Sequence, residues 1–600
     1  MFLVFCDGPI TNSREPYILS RTGILLLLRK LESLMRAPTF LTGGFILVPS
    51  MGQSFLLRIF ASKKQQTIRG KNIMKVLIPE KFSQAGIDVL KEAGVDVTFQ
   101  PDTTPEQLLE IISEYDGLIV RSATTVTREV IEAGTNLKII GRAGVGVDNI
   151  DREAATERGI IVCNAPLSNV VSAAEQTMCL MLAAARKTAS ASASMKAGNW
   201  NRSQFVGCEL QDKTLGIFGT GNVGRLVAER AQAFGMKIIG YDPYCSPAMA
   251  QHLGITLYET VDEVCKLADV ITVHMPLTDE TRNMFSDAQF AQMKDGVIVL
   301  NVARGGIIDL DALAKYLENG KVAAAGVDVW EHEPVSTSPI HKFENAVLTP
   351  HLGASTKEAQ TRAATQIAEY VISGLRGKTV ATVVNSARIP EAVMEELGPY
   401  MPVAQRCAEV ASQISKAAIT KVEVKAFGEI AKTDTKVLGT AALAGVMAKG
   451  SDVDVNIINA EFLAQRRGVS VEVQSDPLSE IYSSYVAVTV HSDNHAITIA
   501  GTIALGHTMP RIIDFAGYKV DFVPERYVLA LEYKDCPGCV AKIGAVLGDA
   551  NINIETMQIA QNDEREAATL LMNVNKPVTA EQCESIVKAI DARDVAFIEF

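Results

Sequence analysis

Between Glu32 and Glu80 the chain has no acidic residue, while Arg36, Arg58, Lys63, Lys64, Arg69, Lys71 and Lys75 sit there among Ser, Leu and Phe. Acid-poor, Arg- and Ser-bearing sequence of this kind reads as an organellar transit segment, for a mitochondrion or plastid, and residues 1–72 are kept out of the fold. A cytoplasmic chain with a disordered extension is the alternative, and Met51 or Met74 could be the true start. The longest uncharged run, 37–57, is broken by Gly43, Gly44, Pro49, Gly52 and Gln53, so no membrane partner is expected. Basic excess is also missing: 57 Lys and Arg face 69 Asp and Glu, a net charge of −12, which argues against a phosphate backbone as partner. The ten cysteines show no even spacing and no paired CxxC modules, which excludes a disulfide scaffold and a structural zinc site and fits a reducing compartment; no metal is expected. Aromatics are only 6%, yet 48% hydrophobic and 21% charged residues make an ordinary globular composition. Six hundred residues leave room for about four domains.

From Lys75 short β-branched runs alternate with amphipathic stretches: KVLIP at 75–79, VDVTFQ at 95–100, GLIVRS at 117–122, LKIIGRAG at 137–144 and GIIVCNA at 159–165. That rhythm predicts a parallel sheet covered by helices. A long helix from Ser172 to Ala197, apolar nearly all round, is expected between two domains. A second series starts at Thr214 (TLGIFG, KIIGYD, DVITVHMP, GVIVLNVA, AAAGVDVW), and a helix of about twenty residues leaves from Ser355. The expected class is α/β, two doubly wound parallel-sheet domains, flavodoxin-like and Rossmann, with a ligand cleft between them. After residue 385 the pattern changes to an α+β region with strands at KVEVKAFG, VDVNIINAEF, VSVEVQS, YVAVTVHS, HAITIAG and GYKVDFV. Residues 526–600 read β-α-β-β-α-β, a ferredoxin-like module.

Gly219-Thr220-Gly221-Asn222-Val223-Gly224 closes a strand and opens a helix, the arrangement that brings backbone N–H groups to a pyrophosphate. Asp242 ends the next strand, where a carboxylate accepts from ribose hydroxyls and repels a 2′-phosphate, so NAD is the expected cofactor.

RSAT at 121–124, GRAGVGVDNID at 141–151, NAPLSN at 164–169, the glycine motif, NVARGG at 301–306, GVDVWEHEP at 326–334 and TPHLGAST at 349–356 occur in an order that resembles the D-isomer-specific 2-hydroxyacid dehydrogenases. The resemblance runs from about Lys75 to Phe600, and NAEFLAQRRGV at 459–469 matches a long form with an allosteric substrate-binding domain followed by an ACT domain. It implies a substrate-binding domain at 73–168 plus 357–384, a Rossmann domain at 169–356, the allosteric substrate-binding domain at 385–525 and the ACT domain at 526–600. It further implies a homotetramer that oxidises 3-phospho-D-glycerate with NAD at the entry to serine synthesis. Alternatives are reduction of another 2-oxo acid, such as hydroxypyruvate, glyoxylate or 2-oxoglutarate, or a nucleotide-sensing, corepressor-like scaffold.

The same resemblance places Arg304, Glu333 and His351 on the catalytic positions. A His suits transfer of the hydroxyl proton, a carboxylate on its far nitrogen fixes the tautomer, and a guanidinium holds the substrate carboxylate. By carry-over the cofactor meets Val145, Gly146, Gly219, Gly221, Asn222, Val223, Gly224, Asp242, Met275, Val302, Ala303, Arg304, Asp328, His351, Gly353 and Ala354. The substrate meets Arg121, Ser122, Arg142, Gly144, Asn169 and Arg304. His274 reads as structural, and Arg466, Arg467 and Arg511 as a candidate anion site. An amino-acid effector is expected at the ACT domain, although Tyr533 and Asp535 stand where serine-sensing members carry His and Asn, with only Asn553 matching. Cys536-Pro537-Gly538-Cys539 opens a predicted helix; Pro-Gly is what this loop carries in ACT domains, so its cysteines read first as incidental.

Overall fold

The computed structural model describes residues 73–600 except 388, 416, 480–481, 494, 505–508 and 563–566. The expected transit segment, 1–72, lies outside the described residues.

Five parallel strands, β1 (Lys75–Ile78), β2 (Asp96–Phe99), β3 (Gly117–Val120), β4 (Ile139–Arg142) and β5 (Ile161–Asn164), pair in the order β2-β1-β3-β4-β5. Val76, Leu77, Ile78, Leu118, Ile119 and Val120 have no solvent exposure, because helices cover both faces. One cover is the helix Lys357–Leu375, whose Ala363, Ile367 and Val371 enter this core. The chain then runs along β5, where Val162 N–H donates to Asn385 Oδ1 at 2.9 Å and Val384 N–H to Val162 O at 2.9 Å.

The second sheet has seven parallel strands: β6 (Thr214–Phe218), β7 (Lys237–Tyr241), β8 (Thr256–Leu257), β9 (Val270–Val273), β10 (Val297–Asn301), β11 (Val322–Val327) and β12 (Ala346–Leu348). Their order, β12-β11-β10-β9-β6-β7-β8, reverses between β9 and β6, and a dinucleotide belongs at that switch point. The short edge strands β8 and β12 are not legible in the sequence pattern.

The expected helix over 172–197 is two helices. Val170–Ala185 has ten buried residues, Lys187 turns into the left-handed region at φ 52°, and Thr188–Lys196 buries none. The Ser- and Ala-rich second half offers no apolar face to bury, so only the first half packs against the sheet.

Beyond residue 385, β13 (Ile419–Gly428), β14 (Ser470–Asp476), β15 (Ser484–Ser492), β16 (Ala496–Ala504), β17 (Met509–Phe515) and β18 (Tyr518–Phe522) pair as β14-β13-β15-β16-β17-β18. β17 is an addition to the sequence reading, and the strand expected in VDVNIINAEF is absent. Asn456 N–H donates to Asn459 Oδ1 and Ile458 N–H to Asn456 Oδ1, so Asn side chains tie the segment into a turn before the helix Ala460–Arg466. β19 (Tyr527–Tyr533), β20 (Ile554–Gln561), β21 (Ala568–Val574) and β22 (Asp594–Glu599) form an antiparallel sheet ordered β20-β21-β19-β22, the ferredoxin-like arrangement. Val528, Leu571 and Ile598 from this sheet share one core with the helix Met401–Ile414 and the third sheet. Among the described residues no helix is long and apolar enough to cross a membrane.

Candidate active site

The glycine turn follows β6. Gly219 sits at φ +90°, and a Cβ on Gly224 would lie 2.1 Å from Gly219 O, so helix and turn touch backbone to backbone. The helix Asn222–Ala233 has no side-chain cap, and its first intrahelical bond from this turn is Arg225 N–H to Gly221 O at 3.0 Å. The N–H groups of Asn222, Val223 and Gly224 therefore precede the intrahelical ladder, and the space beside Gly221 is open within 4 Å. These residues fit a dinucleotide pyrophosphate. Asp242 follows β7; its Oδ2 accepts from Thr220 N–H and Thr220 Oγ1 at 2.8 Å each, which fixes the carboxylate beside the turn.

Asp328 follows β11 and is fully buried. Its carboxylate accepts from the Leu352 and Gly353 N–H groups at 2.8 Å each, from Gln176 Nε2 at 3.4 Å and, over a very short distance, from the Thr349 hydroxyl. Its backbone O accepts from His351 N–H at 2.8 Å. These bonds hold His351 at φ +56°, a left-handed conformation that costs of order 1–3 kcal/mol and persists only under such constraint. Resemblance puts Asp328 at the nicotinamide amide; in the fold its carboxylate is engaged by this loop through Gly353, which Ala354 follows in the chain.

His351 Nδ1 lies 2.7 Å from Glu333 Oε2, and Glu333 Oε1 accepts from Trp330 N–H at 3.0 Å. Both carboxylate oxygens are thus occupied, and the imidazole keeps 45% of its side-chain exposure, open to a reactant. Arg304 follows β10 in a turn built by Asn301, which is 2% exposed: its Nδ2 donates to Arg304 O at 2.9 Å and its Oδ1 accepts from Ala303 N–H at 3.1 Å. A Cβ on Gly305 would meet Trp330 O at 2.2 Å, so the arginine turn packs directly on the segment that holds Glu333. Val302 and Ala303 line the same turn.

Across the cleft, a Cβ on Gly146 would lie 3.1 Å from Arg304 Nη2, which places the guanidinium against the loop after β4. Arg142 folds onto Gly144, where a Cβ would lie 1.6 Å from its Nη1. Burial, then the charge of Arg304, pulls the Arg142 guanidinium below its ordinary value, with Glu80 opposing. Its Nε is buried without a hydrogen-bond partner among the described residues. Val145 presents its carbonyl to Asn164 Nδ2 at 2.6 Å, and Asn169 heads the helix Val170–Ala185.

Arg121 and exposed Ser122 lie on a loop organised by Glu80, whose carboxylate accepts from the N–H groups of Arg121, Ala123 and Thr124 at 2.6 to 3.2 Å. Asn149 adds bonds to Arg121 O and Thr124 O. Sequence reasoning missed Glu80, Asn149, Asn301, Thr349 and Gln176; each adjoins or falls within a motif or element, and for all but Asn301, whose bonds are local, the partner is distant in the chain.

A cavity of about 310 Å³ opens beside Arg121 and Ala143, lined also by Lys81, Lys357 and Gln360. His274 follows β9 with Nε2 3.0 Å from Thr272 Oγ1; burial pushes its imidazole down to about 3. Met275 lies next to it, packed on the second sheet's core. Of the suggested Arg466, Arg467 and Arg511 set, Arg467 donates to the Met447, Lys449 and Gly450 carbonyls at the end of the helix Lys436–Ala448, and Arg511 pairs with Asp521.

Residues 178–353 match the D-isomer specific 2-hydroxyacid dehydrogenase NAD binding domain, and residues 396–516 match the D-3-phosphoglycerate dehydrogenase intervening domain. The D-3-phosphoglycerate dehydrogenase of Methanocaldococcus jannaschii is 42% identical over 526 residues, covering 88% of this chain and 100% of its own. The chain belongs to the D-3-phosphoglycerate dehydrogenase family. The Archaeoglobus fulgidus D-3-phosphoglycerate dehydrogenase is 40% identical over 529 residues, 88% of this chain and 100% of its own. D-3-phosphoglycerate dehydrogenase 2, chloroplastic, of Arabidopsis thaliana is 39% identical over 538 residues, 86% of each chain. In this dehydrogenase family member the cofactor is NAD, held by the domain that contains the glycine turn and Asp242.

Proposed function

We propose that this dehydrogenase oxidises 3-phospho-D-glycerate to 3-phosphooxypyruvate with NAD, the first committed step of serine synthesis. The observation that carries the reading is the His351–Glu333 pair at 2.7 Å, beside the Arg304 turn and across a cleft from Arg142. His351 Nε2 takes the C2 hydroxyl proton while Glu333 on Nδ1 holds the ring and stabilises the imidazolium. Arg304 binds the substrate carboxylate and polarises the C2 oxygen, so charge that develops there meets a fixed cation. NAD, when bound, accepts the hydride from C2. Arg142 offers its unpartnered Nε to the substrate's anionic groups, and Arg121 with Lys81 and Lys357 makes the adjoining cavity suited to a phosphate. In this reading Ser122, the Gly144 backbone and the Asn169 amide complete the substrate contacts.

Residues 73–168 with 357–384 serve as substrate domain, 169–356 as NAD domain, 385–525 as allosteric substrate-binding domain and 526–600 as ACT domain with an amino-acid effector. Exposed Met195, Trp200 and Val206 supply an apolar surface for assembly into a tetramer. The acid-poor 1–72 segment directs the protein to an organelle, in keeping with a relative named as chloroplastic.

The test is a steady-state comparison of 3-phosphoglycerate with hydroxypyruvate, glyoxylate and 2-oxoglutarate, with a trap for the oxidised product. A higher kcat/KM for an unphosphorylated acid overturns the substrate. NAD binding without turnover on any of them favours the corepressor-like scaffold instead.

A further inference from the structure

The Sγ atoms of Cys536 and Cys539 lie 2.9 Å apart, closer than two unbonded sulfurs rest and about 0.9 Å beyond a disulfide bond of about 2.05 Å. The intervening Pro537 and Gly538 make this approach a property of the chain. Proline fixes its own φ, and Gly538 adopts φ +93° as the residue before the helix Cys539–Asp549, so the loop turns back on itself. A backbone bond from Cys539 N–H to Cys536 O at 3.4 Å closes the turn. Two thiols held in contact by a three-residue step have little loop-closure entropy left to lose on bonding.

The two sulfurs differ in access. Cys536 is exposed, whereas Cys539 is 3% exposed beneath it in the core of the fourth sheet. Burial, with the hydrogen bond to Cys536, raises the Cys539 thiol above its ordinary value, so it stays protonated until its neighbour has reacted. The other buried cysteines, Cys163, Cys265 and Cys407, are raised to about 12 by burial and are poor nucleophiles.

We infer that Cys536 and Cys539 form a reversible dithiol–disulfide site that exchanges with an incoming disulfide, with Cys536 as the attacking and Cys539 as the resolving thiol. In the first step Cys536 Sγ bonds to one sulfur of the incoming disulfide. That disulfide breaks, and its other sulfur leaves as a thiol with the Cys536 proton. In the second step Cys539 Sγ bonds to Cys536 Sγ, the mixed disulfide breaks, and the second thiol leaves with the Cys539 proton. Two protein thiols are oxidised, and one external disulfide is reduced.

The consequence is local. The loop joins β19 to its helix, and Asp535 within it accepts a very short hydrogen bond from Gln561 Nε2 of β20. A disulfide across 536–539 pins the helix start to the strand end and removes the freedom of Gly538 from the open state. The bond therefore rigidifies the edge of the ferredoxin-like module that carries this loop.

The experiment treats the full-length protein with glutathione disulfide and digests it with trypsin, which releases residues 535–542 as one peptide with both cysteines. The wild type is expected to lose two hydrogen atoms in that peptide before any other cysteine reacts, and dithiothreitol restores them. Cys539→Ser is expected to trap glutathione on Cys536, while Cys536→Ser leaves Cys539 unmodified. Amide exchange through 536–542 slows several-fold in the oxidised wild type, with thermal melts to verify that both variants fold. A second arm replaces glutathione disulfide with the oxidised form of a thioredoxin-type protein, and formation of the same internal bond with release of that protein's dithiol supports the inference. A stable glutathione adduct on wild-type Cys536 without an internal bond overturns the inference. Modification of Cys539 at an undiminished rate in Cys536→Ser does the same.

Discussion

Asp328 and Gly353 are joined by a 2.8 Å hydrogen bond from the glycine N–H to a carboxylate with no exposure to solvent. With the Leu352 N–H and the Thr349 hydroxyl on the same group, this buried acid fixes the loop that carries His351.

Asp328→Ala strands those donors at a cost of about 1–3 kcal/mol each, so a fall of several degrees in Tm is expected by calorimetry. Turnover should fall with it, because His351 loses the frame that holds its left-handed backbone. A variant with wild-type Tm and kcat would show the loop to be held by other means.

His351→Ala should lose roughly 10² to 10⁴ in kcat through loss of the proton acceptor, while NADH still binds. Stopped-flow turnover and nicotinamide fluorescence separate the two. Glu333→Gln keeps the shape but not the charge; a loss of kcat with little change in KM is expected, since the carboxylate acts on the imidazolium formed during reaction. Near-normal turnover in either variant removes that residue from the proton relay.

Asp242→Ala removes the carboxylate beside the glycine turn, and the ratio of kcat/KM for NAD over NADP should drop at least tenfold, by about 1.4 kcal/mol of discrimination. An unchanged ratio assigns cofactor choice to another residue.

His274 links stability to acid. Its folded value is pushed down to about 3 by burial, below the ordinary 6.5, so the unfolded chain takes up a proton first as pH falls. The neutral ring's contribution is complete above 6.5 and is lost progressively toward 3, about 2 kcal/mol by pH 5. His274→Gln, which retains a partner for Thr272, should flatten that acid limb in urea melts between pH 7 and 4. A variant as acid-labile as the wild type would place the sensitivity elsewhere.

Much of the fold was legible because parallel strands buried on both faces must be continuous apolar runs, as in KVLI at 75–78 and VIVLN at 297–301. What the pattern missed lay at edges and breaks. β8 has two residues and β12 three, too few for a period, and the left-handed turn at Lys187 divides a helix that composition joins. VDVNIINAEF alternates like a strand, but its Asn side chains satisfy the backbone locally and no neighbour supplies a ladder.

For the site, the glycine spacing, the acid after β7 and the ordered motifs determined which residues belong to the chemistry, since turn geometry and charge are properties of short segments. Which groups touch was decided only by the fold. Nothing in the chain order tells that Glu80 gathers the loop of Arg121 from forty-one residues away, or that Asp328 spends its carboxylate on the His351 loop rather than presenting it freely. Nor does it tell that Arg142 keeps a buried nitrogen without a partner among the described residues. Hydrogen bonds are short-ranged and directional, so their pairing follows from how two lobes bring strand ends together, and sequence separation carries no record of that.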